Sequence, residues 1–455
     1  MNGTNGNNQI NAMTEGNSFN LILTFAFPMF IGNIFQQLYN MVDSIVVGNY
    51  VGKIALAAVG TGFPIIFLMA SLFIGLGMGA TILISQYIGA GDYENVRKTS
   101  QTIYTAMLLS SIPISMLGII FCEPILLLIN TPLDVLPMAK QYMLIIFAGM
   151  IGSFGFNINA GILQGFGDSK SSLLFLAIAT VINIVLDLLF VMVFGWDVPG
   201  VAIATIIAQT FSWIFGIIYM KKKYDVLKFK ITKFDFDKTI FKKILKLGLP
   251  SGIQMSLFSV GVMSMQSLVN GYGADFMAGF NAANKIDTFA FMPIQSISNA
   301  LTTYTGQNIG AGRLDRVHKG TVTGITVSVT ISLLALIIIP LGPSMLRLFN
   351  SEAGVIDAGM IYLNNVMPLY VLLSILFTLN AVVRGAGESI IPMVSSLTSI
   401  WLGRIPSAYY IAANLGKEYL FYSYGIGWVL GMLITGTYYV TGRWKTKSQK
   451  LLQKQ

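Results

Sequence analysis

The sequence is nearly without the residues that usually bind metals, form cross-links or carry covalent chemistry. One cysteine, Cys122, and one histidine, His318, occur among 455 residues. A lone cysteine excludes an intrachain disulfide and a thiolate metal cluster. No His/Cys/carboxylate ligand set, phosphate loop or nucleophile motif stands beside them, so neither an enzyme nor a bound cofactor is expected. Charge is scarce as well. Asp, Glu, Lys and Arg make up 10% of the chain, against about 25% in a soluble domain. That excludes an ordinary water-soluble globule.

Apolar length takes the place of charge. Hydrophobic residues reach 54%, in stretches long enough to cross a hydrocarbon core of about 30 Å. Twelve spans are expected, near 20–47, 56–87, 99–122, 137–163, 172–194, 199–219, 246–271, 278–308, 320–341, 358–383, 390–413 and 418–440. The longer ones are expected to tilt or to project beyond the bilayer. The first 18 residues, rich in Asn and Gly, lack the basic n-region and small-residue cleavage site of a secretory signal and are expected to stay on the protein as a flexible tail.

Lys and Arg set the orientation. With the N-terminus inside, 22 of the 28 fall in inner loops and the C-terminal tail and four in outer loops, while Lys285 and Arg404 lie within spans. Both termini are therefore expected to be cytoplasmic. The net charge of +9 concentrates in the inner loops. It reads as the positive-inside bias and attraction to anionic membrane lipids, not as a nucleic-acid surface.

The chain also repeats itself. The run Gln86-Tyr-Ile-Gly-Ala-Gly-Asp-Tyr-Glu-Asn-Val-Arg-Lys98 returns as Gln307-Asn-Ile-Gly-Ala-Gly-Arg-Leu-Asp-Arg-Val-His-Lys319, seven of thirteen positions identical at an offset of 221. Pro28 recurs as Pro250, and Asn159-Ala160 with Gly165, Gly167 and Asp168 recurs as Asn380-Ala381 with Gly385, Gly387 and Glu388. Six spans per repeat, an even number, give both halves the same orientation and relate them by a pseudo-two-fold axis along the membrane normal. The expected fold is an all-α integral membrane protein with twelve transmembrane helices in two six-helix lobes. The segments are a tail over 1–18, an N-lobe over 19–220, a basic linker over 221–245, a C-lobe over 246–441 and a basic tail over 442–455. Two lobes around a cleft suit alternating access.

Apart from Glu418 at the very edge of the last span, which reads with the outer loop, only three acids lie inside the spans: Asp43, Asp187 and Asp287. A carboxylate at the centre of a membrane helix costs roughly 2.5–3.5 kcal/mol on insertion scales, so it is seldom there without a partner or a task. In the first helix Asn33, Gln36, Gln37, Asn40, Asp43 and Ser44 recur at three- and four-residue steps along one side. Lipid cannot satisfy such a stripe; it must face protein or a water-filled cavity. It reads either as an interhelical hydrogen-bond seam or as part of a substrate cleft. Asn183 and Asp187 share a face of the fifth helix. If that face meets Asp43, two carboxylates share a poorly solvated pocket that can take up and release a proton. The same oxygens, with Asn183 and a hydroxyl such as Thr205, could instead hold Na⁺.

Asp287, near the mouth of the second lobe, stands two residues from Lys285, a spacing that does not face the pair towards each other. Arg404 needs a partner that the sequence does not identify. Gln254 and Met255, with Phe258, Met263 and Met265, suit either a pocket that repacks around varied ligands or a helix packed in lipid. Pro28 weakens the backbone ladder about four turns before Asp43, so it marks either a bend or an ordinary helix start.

On these residues the chain resembles the multidrug and toxic compound extrusion (MATE) family over all twelve spans. The segments Gln36-Gln-Leu-Tyr-Asn-Met-Val-Asp-Ser44, Gln164-Gly-Phe-Gly-Asp-Ser169 and Asn183-Ile-Val-Leu-Asp187 resemble its DinF branch in particular. The resemblance implies a secondary active antiporter of a prokaryotic cytoplasmic membrane, working as one chain and exporting organic, often cationic, compounds against inward H⁺ or Na⁺. It implies a coupling cluster of Asp43, Asn159, Asn183, Asp187 and Thr205, with Pro28 as the bending point. The NorM branch places acids in its seventh and tenth helices; residues 246–271 and 358–383 contain none. A flippase for lipid-linked saccharides or a metabolite exporter of the same fold is the alternative. A flippase would be expected to line its cleft with several Lys or Arg.

Overall fold

The structure is a computed structural model that describes residues 13–228 and 234–445. Most of the N-terminal tail, the middle of the basic linker and most of the basic C-terminal tail lie outside the described residues. The rest is helical: α1 (Ser18–Val46), α2 (Lys53–Gly89), α3 (Tyr93–Leu128), α4 (Leu136–Ala148), α5 (Met150–Gly165), α6 (Ser169–Leu188), α7 (Asp197–Lys223), α8 (Lys238–Asn270), α9 (Ala274–Gly310), α10 (Leu314–Ala335), α11 (Ile338–Arg347), α12 (Ala353–Val366), α13 (Tyr370–Gly385), α14 (Ile390–Leu397), α15 (Ile405–Asn414) and α16 (Tyr422–Val440).

Among the described residues, eight helical stretches are long and apolar enough to cross a membrane unaided, and two bent pairs raise the number to ten. The pairs are α4–α5, bent by 54°, and α10–α11, bent by 53°. Pro340 accounts for the second bend, because it has no N–H to return to the carbonyl of Leu336 at the break. The other two of the twelve spans are polar or interrupted: α9 carries Asp275, Lys285 and Asp287, and α14–α15 is broken by a π-helical turn ending in Arg404. Large apolar side chains stand exposed along these helices, Phe27 and Phe121 among them. A water-soluble surface rarely tolerates such a band; lipid covers it.

The sequence repeat reappears as repeated turn geometry. Gly91 and Gly312 both have φ of 70°, and Gly167 and Gly387 have φ of 78° and 91°. Each pair closes a helix in the left-handed region, where a side chain would be strained. Asp92 and Asp168 then cap the following helices, accepting from the N–H groups of Asn95 and Ser171 at 3.0 Å. Asp168 also binds Lys223 Nζ and the Tyr224 hydroxyl, both at 2.7 Å. Burial pushes its carboxyl up, but Lys223 and these hydrogen bonds outweigh burial and hold it below the usual range. A depressed carboxyl stabilises the fold above its ordinary pKa and loses that contribution as pH falls through the folded value. Asp168→Asn is therefore expected to cost about 2 kcal/mol at pH 7, read as a lowered melting midpoint that converges with wild type in strong acid.

The chain forms two compact units. The first comprises Ile31–Gly252 and the second Met13–Phe30 with the chain from Ile253. The boundaries fall inside α1 and α8, three residues after Pro28 and after Pro250, so each helix has one half in each unit. In the first unit α2 packs on α5, with Phe73 stacked on Phe154 at 3.6 Å between centroids. The N-terminal half of α8 approaches α2 through glycines, Gly248 and Gly252 facing Gly75 and Gly79. That is the small-residue packing of membrane helices.

In the second unit the core runs through Phe280, Tyr362 and Phe421, with ring centroids 4.9–5.5 Å apart. Residues 13–17, expected as flexible tail, are held there instead. Met13 is buried, its N–H donates to Gln307 Oε1 at 2.6 Å and its carbonyl accepts from Asn308 at 3.1 Å. Arg316 donates to the carbonyl of Gly16 at 2.9 Å. The repeated motif supplies buried polar groups that need backbone partners, and the tail provides them.

Candidate functional site

Two short irregularities mark the first unit. A π-helical turn over Val47–Val51 begins four residues after Asp43, and another over Leu189–Val193 begins two after Asp187. Such turns often mark functional sites, because they redirect a side chain out of helical register. They stand just beyond two carboxylates that converge. Asp43 and Asp187 lie within hydrogen-bonding reach of each other and of Asn183. Asp187 and Asn183 are fully buried and Asp43 is 9% exposed.

Their polar atoms are underused. Neither oxygen of Asp187, nor Oδ1 of Asp43, nor either amide atom of Asn183 has a well-formed hydrogen-bond partner among the described residues. Two carboxylates can bond each other only when one carries a proton. With both ionised the two carboxylates are acceptors only, and neither has an ion-pair partner among the described residues. Buried polar groups are seldom left so. The arrangement suits a bound proton or a hard cation held by oxygen.

Two tyrosines complete the surroundings, and neither was expected. Tyr39, one turn before Asp43, donates to Thr205 Oγ1 at 3.1 Å and lies close enough to feel the charge of Asp43. Thr205 thus joins the cluster through Tyr39. The four-residue spacing of Tyr39 and Asp43 places both on one face of α1 and is the signal in the sequence that links them. Tyr142 on α4 feels both acids, and nothing in the sequence ties that position to them.

The remaining residues of the expected cluster and cleft are placed as follows. The two hydrogen bonds of Asn159 go elsewhere in the same unit: its Oδ1 accepts from the Tyr104 hydroxyl and its Nδ2 donates to the carbonyl of Trp213 at 2.9 Å. On α1, Gln36 and Asn40 are exposed and Asn33 and Gln37 half-buried. The Ser44 hydroxyl turns back to the carbonyl of Asn40 at 2.9 Å.

In the second unit Asp287 accepts a hydrogen bond from the Tyr370 hydroxyl. Lys285 leans on the Phe349 ring instead, 5.7 Å from its centroid, as the two-residue spacing predicted. Gln254 donates to Ser396 at 2.7 Å and accepts from Arg384 at 3.0 Å. Asp287, Gln254 and Arg404 line one cavity, while Met255 is half-buried on the same helix. The partner of Arg404 is a ring: its guanidinium lies 3.1 Å from the centroid of Tyr424.

Known proteins share this architecture. The MatE family model matches residues 28–189 and 250–410, one match in each repeat. The chain is 32% identical to the probable multidrug resistance protein YpnP of Bacillus subtilis, over 95% of this chain and 97% of that protein. It is 23% identical to the multidrug export protein MepA of Staphylococcus saprophyticus, covering 86% and 88%. Among solved structures, an outward-facing multidrug resistance MATE transporter superposes with a TM-score of 0.88 at 24% identity, covering 99% and 100%. A MATE in the bent conformation gives 0.88 at 24% identity, covering 99% of each chain. These two likenesses establish the fold. With the doubled family match, the near full-length relative and the twelve-span fold all in agreement, the chain belongs to the MATE family of membrane transport proteins.

Proposed function

We propose that the protein is a secondary active multidrug efflux antiporter, exporting organic and often cationic compounds in exchange for inward H⁺ or Na⁺. The observation that carries this reading is the Asp43–Asp187 pair, buried in the first unit, with three of its four carboxylate oxygens lacking a hydrogen-bond partner among the described residues. An occupant that comes and goes there changes the charge of the site. The names of the relatives, multidrug resistance and multidrug export proteins, support the cargo class. Asn183 and the Tyr39–Thr205 link are the groups best placed to assist the pair.

The energetics allow it. One charge crossing 100 mV gains about 2.3 kcal/mol and a tenfold ion gradient adds about 1.4 kcal/mol. Together they sustain a cargo gradient of about a few hundredfold when the exchange moves one net charge. The coupling ion is read by imposing a pH gradient and a Na⁺ gradient separately on proteoliposomes and following a fluorescent organic cation. An antiporter responds to one of the two; indifference to both would refute the reading.

The proposal extends to membrane placement, with both termini cytoplasmic, since the Lys and Arg distribution points that way, and it takes one chain as the working unit. It also gives Pro28 a role. The unit boundary in α1 follows Pro28, where the ladder lacks one hydrogen bond. Pro28→Ala restores that bond, so a raised melting temperature together with slowed efflux is expected. Efflux at the wild-type rate from the stabilised variant would remove Pro28 from the mechanism.

A further inference from the structure

The cavity of the second unit is not used by the carboxylate-pair reading, and what lines it has its own logic. Its volume is about 140 Å³. An engineered apolar cavity of about 150 Å³ admits benzene, so this one has room for a single ring. One acid and one base border it, Asp287 from α9 and Arg404 from the π turn between α14 and α15. They form no ion pair with each other among the described residues.

Each charge is held by aromatic groups instead. Asp287 takes the Tyr370 hydroxyl, and the Arg404 guanidinium stands over the Tyr424 ring with its Nε buried and without a hydrogen-bond partner among the described residues. Arg404 is 9% exposed, so the unpaired donor belongs to a buried side chain. Trp428 closes the wall, with its ring 6.0 Å from Tyr370 and 5.8 Å from Tyr424.

Neither charge has an ion-pair partner among the described residues and Arg404 leaves a buried donor unmatched there, which is costly. A lone cation would compensate Asp287 and add to the positive charge beside Arg404; a lone anion would do the reverse. A molecule carrying both signs compensates both. The aromatic walls and the one-ring volume complete the description. We propose that this cavity binds a small aromatic zwitterion, its ammonium directed to Asp287, its carboxylate to Arg404 and its ring against the Tyr424 and Trp428 walls. This site is built from the second unit alone, whereas Asp43 and Asp187 belong to the first, and it does not require that they couple an ion.

Three probes of one shape test it: L-phenylalanine, phenethylamine without the carboxylate, and 3-phenylpropionate without the ammonium. Binding is measured by calorimetry on purified protein in detergent, with no gradient, in wild type and in Asp43→Asn. A failed transport mechanism therefore leaves the result intact. L-Phenylalanine is expected to bind about tenfold or more tighter than either analogue. Arg404→Gln should bring it down to the level of phenethylamine and leave phenethylamine itself unchanged; Asp287→Asn should bring it down to the level of 3-phenylpropionate. Equal binding of all three, or binding of none to folded wild-type protein, overturns the proposal. So does a match between 3-phenylpropionate and L-phenylalanine. Should either variant fail to fold, the three-probe comparison on wild type decides alone.

Discussion

Asp43→Asn is expected to abolish ion-driven efflux while leaving a folded, monodisperse protein. Asparagine has nearly the volume of aspartate, and Oδ1 of Asp43 has no hydrogen-bond partner to lose among the described residues. The change therefore removes charge with little disturbance of packing, and it relieves the repulsion with Asp187. On the proposed coupling, what disappears is the second negative group that favours occupancy by a proton or Na⁺. Without an occupant that alternates, the ion gradient no longer bears on the cargo. The ceiling of about a few hundredfold in cargo concentration should then fall to unity. Proteoliposomes loaded with a fluorescent organic cation and subjected to each gradient measure this directly. Retention of even a tenth of the wild-type gradient would place coupling elsewhere.

Gly248→Leu is expected to have the largest effect on stability. A Cβ at Gly248 would stand 2.6 Å from the carbonyl oxygen of Gly75 and 2.8 Å from the Cα of Leu76. Both obstacles are backbone of α2 and cannot swing aside as a side chain would. The two helices must separate, and Gly252 against Leu72 loses its fit with them. Overpacking of this kind costs typically 1–3 kcal/mol, and a whole leucine at a backbone contact belongs at or above the top of that range. Thermal unfolding in detergent should show a midpoint depressed by several degrees and a lower yield of monodisperse protein. Gly60 is the control. Nothing lies within 4 Å of a Cβ there, so Gly60→Ala should be neutral or stabilise by up to about 1 kcal/mol through helix propensity. Equal behaviour of the two variants would mean that the α2–α8 approach is looser than described.

Much of this was written along the chain. The repeat at offset 221 is plain in the sequence, and Gly91 and Gly312 take the same φ because one motif builds both. Asp43 and Asp187 declared themselves by their cost in a membrane helix, and their placement on particular faces made a meeting possible. That they do meet, with Asn183 beside them, was conditional on how α1 and α6 pack. Tyr142 shows the gap most clearly. Its helix joins the two acids only through folding, and no local pattern distinguishes it from the other tyrosines.

The sharing of α1 and α8 between units is of the same kind. A linker over 221–245 was expected to separate two lobes, yet residues 235–252 follow the first unit and 13–30 the second. Composition reports where a helix starts, not which neighbours its two halves choose. The docked segment around Met13 is similar. Its Asn- and Gly-rich context reads as tail, and the acceptor of Gln307 with the buried donors of Asn308 and Arg316 hold it.

By itself the sequence determined the solvent, the number of crossings, the doubling and the acids that a membrane helix would not carry idly. These follow from one-dimensional quantities: transfer cost, helix length, period and charge count. The tertiary structure alone decided which acids meet, that Asp287 and Arg404 border one cavity, and where each half of α1 belongs. Those outcomes depend on contacts between residues far apart in the chain, set by steric fit at positions such as Gly75 and Gly248, and steric fit has no signature along a single strand of residues.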